Sequence, residues 1–377
     1  MTDAVDREVA PAARLGLLLA RADLGYIGAA IGGGVSERAL AFLQHGVLVA
    51  FEAYEFCSRQ LGIDMPDLSW DKTLATAARN TGKFFDDNRR DLGELTADVN
   101  ALADAMRQSF TVGWRRRLAR AVGIQNPDLG VMSVTFVPVH TSVTIAYHAG
   151  SRVPGPDPIA QASRAAYDLA QGVGQIAVAL GANVAMHRPP ATELDGEWSW
   201  GDGESPACYA AAFAGDLRVS HVPLMLMLHG AVATAALLAG TDCCSECRVA
   251  AFKHRFVVAH HVTRSLVKLR RAGVLEPAAT TRVDAMLGEE PVVAVMGMRA
   301  LRNGLLHLGL SDVPASVFAS ADPLGAVVAH YAAGRSFGEV RGVTDEAVAG
   351  LHAHLTEWLL AAAPGATGFA GVLRPPA

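Results

Sequence analysis

One stretch of the chain combines residue types and spacing that could do chemistry, the segment 291–309 with the sequence PVVAVMGMRALRNGLLHLG. Its apolar residues recur at three- and four-residue steps, which predicts a helix with one buried face. Small residues and one imidazole form a second line along this helix, which consists of Gly297, Ala300, Gly304 and His307. A glycine inside a helix costs about 1 kcal/mol relative to alanine. The spacing therefore indicates that a flat ligand approaches the helix beside His307.

Three interpretations of His307 are open from this spacing. In the first, the imidazole is an axial ligand of haem iron, because haem proteins often hold iron through one proximal His. In the second, Arg302-Asn303 followed by His307 gives R-N-x-x-x-H, which resembles the motif of the HEPN ribonuclease superfamily. That resemblance implies a helical dimer in which the His acts as a general acid or base. In the third, His307 is a satisfied core histidine beside a surface Arg, as a non-catalytic helical interaction protein would have.

The composition favours a large apolar core over a polyanion-binding surface. Of the 377 residues, 51% are hydrophobic and 18% are charged, and the formal net charge is −5. The longest basic run is Arg115–Arg117. Because nucleic-acid binders usually carry a basic footprint, these values count against a ribonuclease. They predict no nucleic-acid partner.

Two apolar segments of the chain indicate whether the protein is secreted, membrane-bound or cytoplasmic. The N-terminus places acidic residues before a short apolar run, whereas a secretory signal has the opposite charge order. We therefore expect a cytoplasmic protein. The run 222–240 approaches membrane length and carries His229 at its centre. It is expected to be a buried core helix rather than a membrane span, and no membrane partner is predicted.

Cysteine usage favours reduced thiols. There are five cysteines, an odd number without the spacing of a disulfide framework. The alternative is a zinc site, for which the candidate ligands are Cys243, Cys244, Cys247 and His254. A structural zinc site normally has four protein ligands, and the chain has no second Cys pair near this one.

The hydrophobic pattern predicts a mainly α fold, a large helical bundle around a cofactor pocket. The segment 131–147, rich in Val and Thr, is the one short extended or β stretch. We expect an N-terminal helical region over 1–125 and a C-terminal helical haem-binding domain over 126–377, or one continuous domain. Residues 1–35 are expected to form an arm, and 183–218 a long irregular segment.

The order of several features resembles the haem-dependent tryptophan/indoleamine dioxygenase superfamily, most closely its pyrrolnitrin-pathway branch. Val137-Pro138 is followed by Tyr147-His148-Ala149-Gly150 and then by a long helix from Ile159. Arg302 followed by His307-Leu308 is similar to the short Arg-x-x-His-Leu sequence around the family's proximal His, with the Arg two residues further back. The segment 338–345 lies where the family has a substrate-covering loop. The likeness covers roughly residues 115–350.

This resemblance implies a haem-dependent oxygenase that acts on tryptophan or a related indole or aromatic amino acid in antibiotic biosynthesis. Haem b iron would be bound by His307, with dioxygen or peroxide on its opposite face. The implied cofactor-binding residues are His307, Gly304, Ala300 and Arg302. The implied catalytic residues are Tyr147 and His148. Candidates for substrate binding are Arg116, Arg117, Arg152 and Thr344, because Arg pairs bidentately with a carboxylate. A homodimer is one assembly that this resemblance allows. His45, His229 and His330 are alternative iron ligands.

Overall fold

The structure of the chain is a computed structural model. It describes residues 10–31, 36–65, 67–68, 70, 72–83, 92–111, 128–150, 158–182, 197–237, 245–361 and 368–373. Over these ranges the chain forms sixteen α-helices and one three-stranded sheet. The expected mainly α class with one short β element is confirmed.

The described residues up to 111 contain four α-helices, α1 Pro11–Ile31, α2 Ser36–Glu55, α3 Lys72–Gly82 and α4 Leu92–Thr111. A π-helical turn, Phe56–Gln60, continues α2. The prediction of an arm over 1–35 is wrong for the described residues. Leu17, Ala20, Leu24 and Ile27 are buried at three- and four-residue steps, which is the spacing of one helix face.

The expected extended segment is a hairpin followed by a helix. Strand β1 (Leu129–Val134) pairs antiparallel with β2 (Val137–Thr141), and helix α5 (Ser142–His148) follows directly. Thr135 and Phe136 form the two-residue turn, both with positive φ, as hairpins with a right-handed twist require. Strand β3 (Trp198–Gly203) pairs with the other side of β1. Pro138 therefore lies on an edge strand, where a residue without an N–H is tolerated.

The remaining described elements are helical. They are α6 Pro158–Ala179, α7 Ser205–Ala211, α8 Val222–Leu237, α9 Ser245–Arg271, α10 Pro277–Gly288, α11 Glu290–Gly297, α12 Arg299–His307, α13 Ala315–Phe318, α14 Pro323–Tyr331, α15 Phe337–Leu360 and α16 Gly368–Val372. Two 3₁₀ turns, Ala212–Gly215 and Val219–His221, lie between α7 and α8. The expected irregular segment 183–218 thus contains β3 and α7.

Helix α8 lies at the centre of the fold. Its residues are buried from Val222 to Ala235 without a polar face, and it packs against α9, α15 and β2. By length and composition, Val219–Leu237 would be long enough to cross a membrane, but 83% of its apolar window is buried inside the protein. This burial is what a core helix requires.

One connected apolar core joins the two predicted regions. It contains buried residues from Leu17 in α1 to Leu373. An ion pair between Asp23 of α1 and Lys253 of α9 also links them, and both side chains are almost completely buried. Breaking a buried pair by removing one partner typically costs 3–5 kcal/mol. The predicted boundary near 125 lies outside the described residues.

Candidate functional site

A buried carboxylate on α2 connects three distant parts of the chain. Glu52 is 5% exposed. Its Oε2 accepts a hydrogen bond from His307 Nδ1 at 2.7 Å, across 255 positions of sequence. Its Oε1 accepts two hydrogen bonds from Arg79, from Nε at 2.8 Å and from Nη2 at 2.5 Å. Lys83 Nζ lies 3.5 Å from the same oxygen. These four residues are called the Glu52 cluster below.

The electrostatics of the cluster determine the tautomer of His307. Burial raises the pKa of Glu52, but the hydrogen bond and charge of His307 and the charges of Arg79 and Lys83 outweigh it and hold that pKa at about 2. The carboxylate is therefore ionised at neutral pH and can only accept. His307 Nδ1 must carry the proton of the shared hydrogen bond. In the neutral imidazole the lone pair then lies on Nε2.

Exposure differs strongly within the cluster. The side chain of His307 is 35% exposed, against 7% for Glu52. Arg79 is intermediate, and Lys83 is largely buried. A reactant from solvent therefore meets the imidazole before the carboxylate. The arrangement offers an imidazole of fixed tautomer beside two cationic groups, which suits proton transfer to or from an anionic substrate.

Apolar packing next to the cluster explains how α12 reaches α2. Leu48, Val257 and Leu306 form a small buried group. Leu48 lies one turn before Glu52 on α2, and Leu306 directly precedes His307. Val257 belongs to α9, which packs against α12. This contact fixes the height of the imidazole along α2 and so brings Nδ1 within hydrogen-bonding distance of the carboxylate.

The Arg302-Asn303 pair of the motif lies one turn earlier on α12. Arg302 is 2% exposed, and its Nη1 donates to Asn303 Oδ1 at 2.8 Å. Asn303 is exposed. The motif therefore presents a surface amide supported by a buried guanidinium on the helix that ends in His307. The role of Arg302 at a cofactor stays a prediction.

The predicted flat slot along 291–309 is wrong. The segment is two helices, because Met298 between α11 and α12 has φ −93 and ψ 45. A Cβ placed on Gly304 would lie 2.9 Å from Cε2 of Tyr331, so an aromatic side chain of α14 fills the space expected for a porphyrin. Ala300 is exposed at the protein surface. The break in the helix also removes Gly297 from the line of Gly304.

Tyr147 and His148 lie in the interior at the end of α5, each 3% exposed. The ring of His148 is edge-on to that of His140, with centroids 5.8 Å apart. Burial, and to a smaller extent the charge of His140, lower the pKa of His148 well below its usual value. His148 is therefore a neutral interior imidazole. Its predicted role at bound oxygen is untested.

Thr344 lies inside a helix and not on a substrate-covering loop. The segment 338–345 belongs to α15, whose first turn is held by a capping box between Ser336 and Glu339. Thr344 is completely buried, and its hydroxyl donates to the Val340 carbonyl at 2.7 Å. The predicted loop is wrong, and the S-x-x-E pattern was the signal for the helix.

Arg116, Arg117, Arg152, Cys243 and Cys244 lie outside the described residues, and so does the side chain of Cys247. Within the described part, no group of three or more His, Cys, Asp or Glu side chains is arranged to hold a metal ion.

The alternative His ligands lie apart from α12. His45 is buried against His254, with ring centroids 3.8 Å apart. His229 Nε2 lies 3.0 Å from the hydroxyl of Thr356, and His330 is exposed on α14. The interior thus contains several neutral imidazoles that pack as core residues.

Sequence reasoning missed Glu52, Arg79 and Lys83. A signal for Glu52 was present, because Ala41, His45, Leu48 and Glu52 follow one face of the predicted helix. A carboxylate on a buried face is rare unless it is paired. Its partners come from α3 and α12, however, and nothing in the local pattern identifies them.

Comparison with known proteins adds no relative: no family model, no curated protein and no solved structure matches this chain.

Proposed function

We propose that this chain is a HEPN-type ribonuclease that cleaves phosphodiester bonds in RNA with His307 as its general acid/base. The observation that carries the proposal is the hydrogen bond from His307 Nδ1 to the buried carboxylate of Glu52. It leaves Nε2 of a partly exposed imidazole to exchange protons with a substrate. The R-N-x-x-x-H resemblance of Arg302, Asn303 and His307 supports the same chemistry.

In the proposed reaction, Nε2 of His307 takes the proton of an RNA 2′-hydroxyl. The 2′ oxygen forms a bond to the adjacent phosphorus, and the bond from phosphorus to the 5′ oxygen breaks. The proton returns from the imidazolium to the leaving 5′ oxygen, so the products are a 2′,3′-cyclic phosphate and a 5′-hydroxyl. Glu52 is a positioning residue, since it orients the ring and stabilises the imidazolium.

Local charge, rather than the net charge of −5, is what a substrate meets at this site. The Glu52 cluster contains two permanent cations, Arg79 and Lys83, against one carboxylate. Their field favours the negative charge that develops on the phosphoryl oxygens. The proposal therefore departs from the expectation, drawn from composition, that nucleic acid is not a partner.

The test is cleavage of a labelled RNA oligonucleotide, with the cyclic phosphate product as the readout. We expect His307→Ala to lower the rate at least about 100-fold, because it removes the acid/base group. His354→Ala is the matched control, since His354 forms a surface pair with Glu289 and should leave the rate unchanged. A DNA oligonucleotide, without 2′-hydroxyls, should remain intact. Absence of cleavage, or cleavage that survives His307→Ala, would contradict the proposal.

Haem ligation by His307 is a second candidate, favoured by the same hydrogen bond. Imidazoles that bind metals commonly donate their other ring N–H to a carboxylate or carbonyl, as Nδ1 does here to Glu52. Haem would supply oxygen activation for oxidation of an aromatic substrate. The surroundings of α12 do not fit it, because Tyr331 covers Gly304 and Ala300 is exposed.

An absorbance scan separates the two candidates. Protein purified from haem-supplemented cells should show no Soret band if the ribonuclease proposal holds. A Soret band that is lost in His307→Ala would establish ligation instead. A colourless protein without RNA cleavage would leave the third interpretation, a non-catalytic helical interaction protein.

A further inference from the structure

A π-helical turn continues α2, the helix that carries Glu52. The turn covers Phe56–Gln60, and its hydrogen bond from the Leu61 N–H to the Phe56 carbonyl, at 3.2 Å, spans five residues rather than four. Such turns are rare, and they frequently occur at functional sites. The extra residue changes which side chain follows Glu52 along the helix toward its C-terminal end.

The π turn places Gln60, and not Arg59, on the face of the helix that carries Glu52. In a continuous α-helix the residue seven positions after Glu52 would lie on this face, and that residue is Arg59. One additional residue in the turn moves this position to Gln60. Arg59 lies on another part of the helix surface, where its Nε pairs with Glu55 Oε2 at 2.8 Å and its side chain is 76% exposed.

Gln60 lies beside the C-terminal end of α12. A Cβ placed on Gly309 would lie 3.9 Å from both Oε1 and Nε2 of Gln60, and 3.9 Å from the carbonyl oxygen of His307. Leu308 turns the chain at this point, because it has the left-handed conformation with φ 59. Gly309 has no side chain to separate the amide from the end of α12. The amide of Gln60 and the imidazole of His307 therefore border the same stretch of surface.

The amide of Gln60 is available to a ligand. The residue is exposed, and its side chain has no hydrogen-bond partner among the residues that the structure describes. Glu52, which holds the imidazole of His307, precedes Gln60 by eight residues, about 12 Å along a helix. A ribose at the imidazole and the base attached to it can span this separation.

A carboxamide has the hydrogen-bonding groups that recognise a base. It presents an acceptor and a donor side by side, and the Gln side chain pairs in this way with N6 and N7 of adenine. Sequence-specific recognition of RNA acts mostly on unpaired bases of single strands, whose edges are open to such hydrogen bonds. A single-stranded RNA substrate would therefore meet both an acid/base group and a base-reading group at the end of α12.

We propose that Gln60 binds the base of the nucleotide whose 2′-hydroxyl His307 deprotonates, and that it selects adenine at this position. Its Oε1 accepts a hydrogen bond from N6, and its Nε2 donates one to N7. Because the 2′-hydroxyl meets Nε2 of His307, the nearest base belongs to the same nucleotide. The inference rests on the proposed function for its substrate, whereas base binding can be measured separately from cleavage.

A DNA oligonucleotide with one central ribonucleotide tests the selection, because the proposed chemistry can cleave it at one phosphate only. With each of the four bases at this position, kcat/KM should be about tenfold higher for adenine, since one bidentate pair discriminates by about this factor. Gln60→Ala should abolish the preference and retain the rates for the other three bases. Gln60→Glu should also abolish it, because a carboxylate has no donor for N7.

Arg59→Ala is the matched control, because Arg59 neighbours Gln60 in the same π turn and lies on a different face. It should leave the preference for adenine unchanged. Equal rates for the four bases in the unmodified protein, a preference for another base, or a preference that survives Gln60→Ala would each overturn the inference. Thermal melts of each variant show that the fold is retained.

A binding measurement separates this inference from the proposed chemistry. Oligonucleotides whose central ribose carries 2′-fluorine cannot be cleaved through a 2′-hydroxyl, and fluorescence anisotropy gives their affinity for the full-length protein. The adenine form should bind about tenfold more tightly than the others, and Gln60→Ala should remove this difference. Preferential binding without any cleavage would contradict the proposed reaction and support base recognition by Gln60. Cleavage that depends on His307 without base preference would support the reaction and overturn the role of Gln60.

Discussion

Glu52 is the residue on which the candidate site depends. Its carboxylate receives one hydrogen bond from His307 and two from Arg79, and it has almost no exposure to solvent. Removal of such a carboxylate leaves the largely buried Lys83 and the partly buried Arg79 without their counter-charge, which is costly. The same residue therefore contributes to stability and orients the ring of His307 through the hydrogen bond to Nδ1.

We expect Glu52→Gln to make stability less dependent on pH in the acid range. The pKa of Glu52 falls from 4.5 to about 2 on folding, which corresponds to about 3 kcal/mol of stability. Because the folded-state pKa is the lower one, this contribution is complete above pH 4.5 and disappears as the pH falls through about 2. Urea denaturation should show a gap of about 3 kcal/mol between the two proteins at pH 6, and the gap should begin to narrow by about pH 4, where the protein can still be titrated.

Glu55→Gln is the control for this measurement. Glu55 lies on the same helix and pairs with Arg59 one turn on, and exposed pairs of this kind contribute about 0.3–0.5 kcal/mol. A pH-independent gap for Glu52→Gln, or an equal gap for Glu55→Gln, would show that the Glu52 cluster does not form.

At the scale of elements, the contact between α12 and α14 decides what Gly304 does. Tyr331 lies against Gly304, and its hydroxyl donates to Asp312 Oδ1 at 2.5 Å. The ring is thus held at both ends and cannot turn away easily. The glycine permits close packing of two helices, and this packing sets the position of the C-terminal end of α12, where His307 lies.

Gly304→Ala should destabilise the protein although alanine favours helices. The new Cβ would lie 2.9 Å from Tyr331 Cε2 and 3.2 Å from Leu310 Cδ2, and overpacking of this kind typically costs about 1–3 kcal/mol. Gly342→Ala in α15 is the matched control, because no atom lies within 4 Å of its Cβ position. It should stabilise by about 1 kcal/mol. Thermal or urea denaturation measures both; stabilisation by Gly304→Ala would refute the contact with Tyr331.

For the molecule as a whole, the interior contains many imidazoles. His140, His229 and His254 are almost completely buried on β2, α8 and α9. Burial lowers their pKa values to about 4, 3 and 3 respectively. Each remains neutral in the folded chain at pH values where it would be protonated in the unfolded chain.

The protein should therefore unfold at mildly acidic pH. Because these folded-state pKa values are below 6.5, the unfolded chain binds more protons, and stability decreases as the pH falls below about 6.5. Three such groups give a slope of about 4 kcal/mol per pH unit, against a typical total of 5–15 kcal/mol. Denaturant titrations between pH 8 and 4 measure the slope. His229→Gln should lower this slope by about 1.4 kcal/mol per pH unit, which corresponds to one proton. A free energy of unfolding that stays constant from pH 7 to 5 would contradict the predicted acid unfolding.

The mainly α class and the core helix over 222–240 could be predicted from the amino-acid sequence, because both depend on local apolar periodicity. Pro138 has no N–H to donate, so the sequence excludes a central strand there and leaves an edge strand, a bend or a loop; the structure shows the edge strand. The same kind of local pattern singled out His307 as a candidate site residue, and its role stays a prediction. Helix α1 was missed although its apolar spacing was present.

The surroundings of His307 could not be predicted from the sequence, because they depend on long-range packing. Glu52 and His307 are 255 positions apart, and no local pattern shows which face of α2 meets the end of α12. The helix break at Met298 and the Tyr331 ring over Gly304 are likewise results of packing between elements. The side chains of this site come from different elements. The free energy that brings these elements together comes from apolar burial, such as that of Leu306. Because apolar burial is not directional, it does not specify which polar side chains will meet.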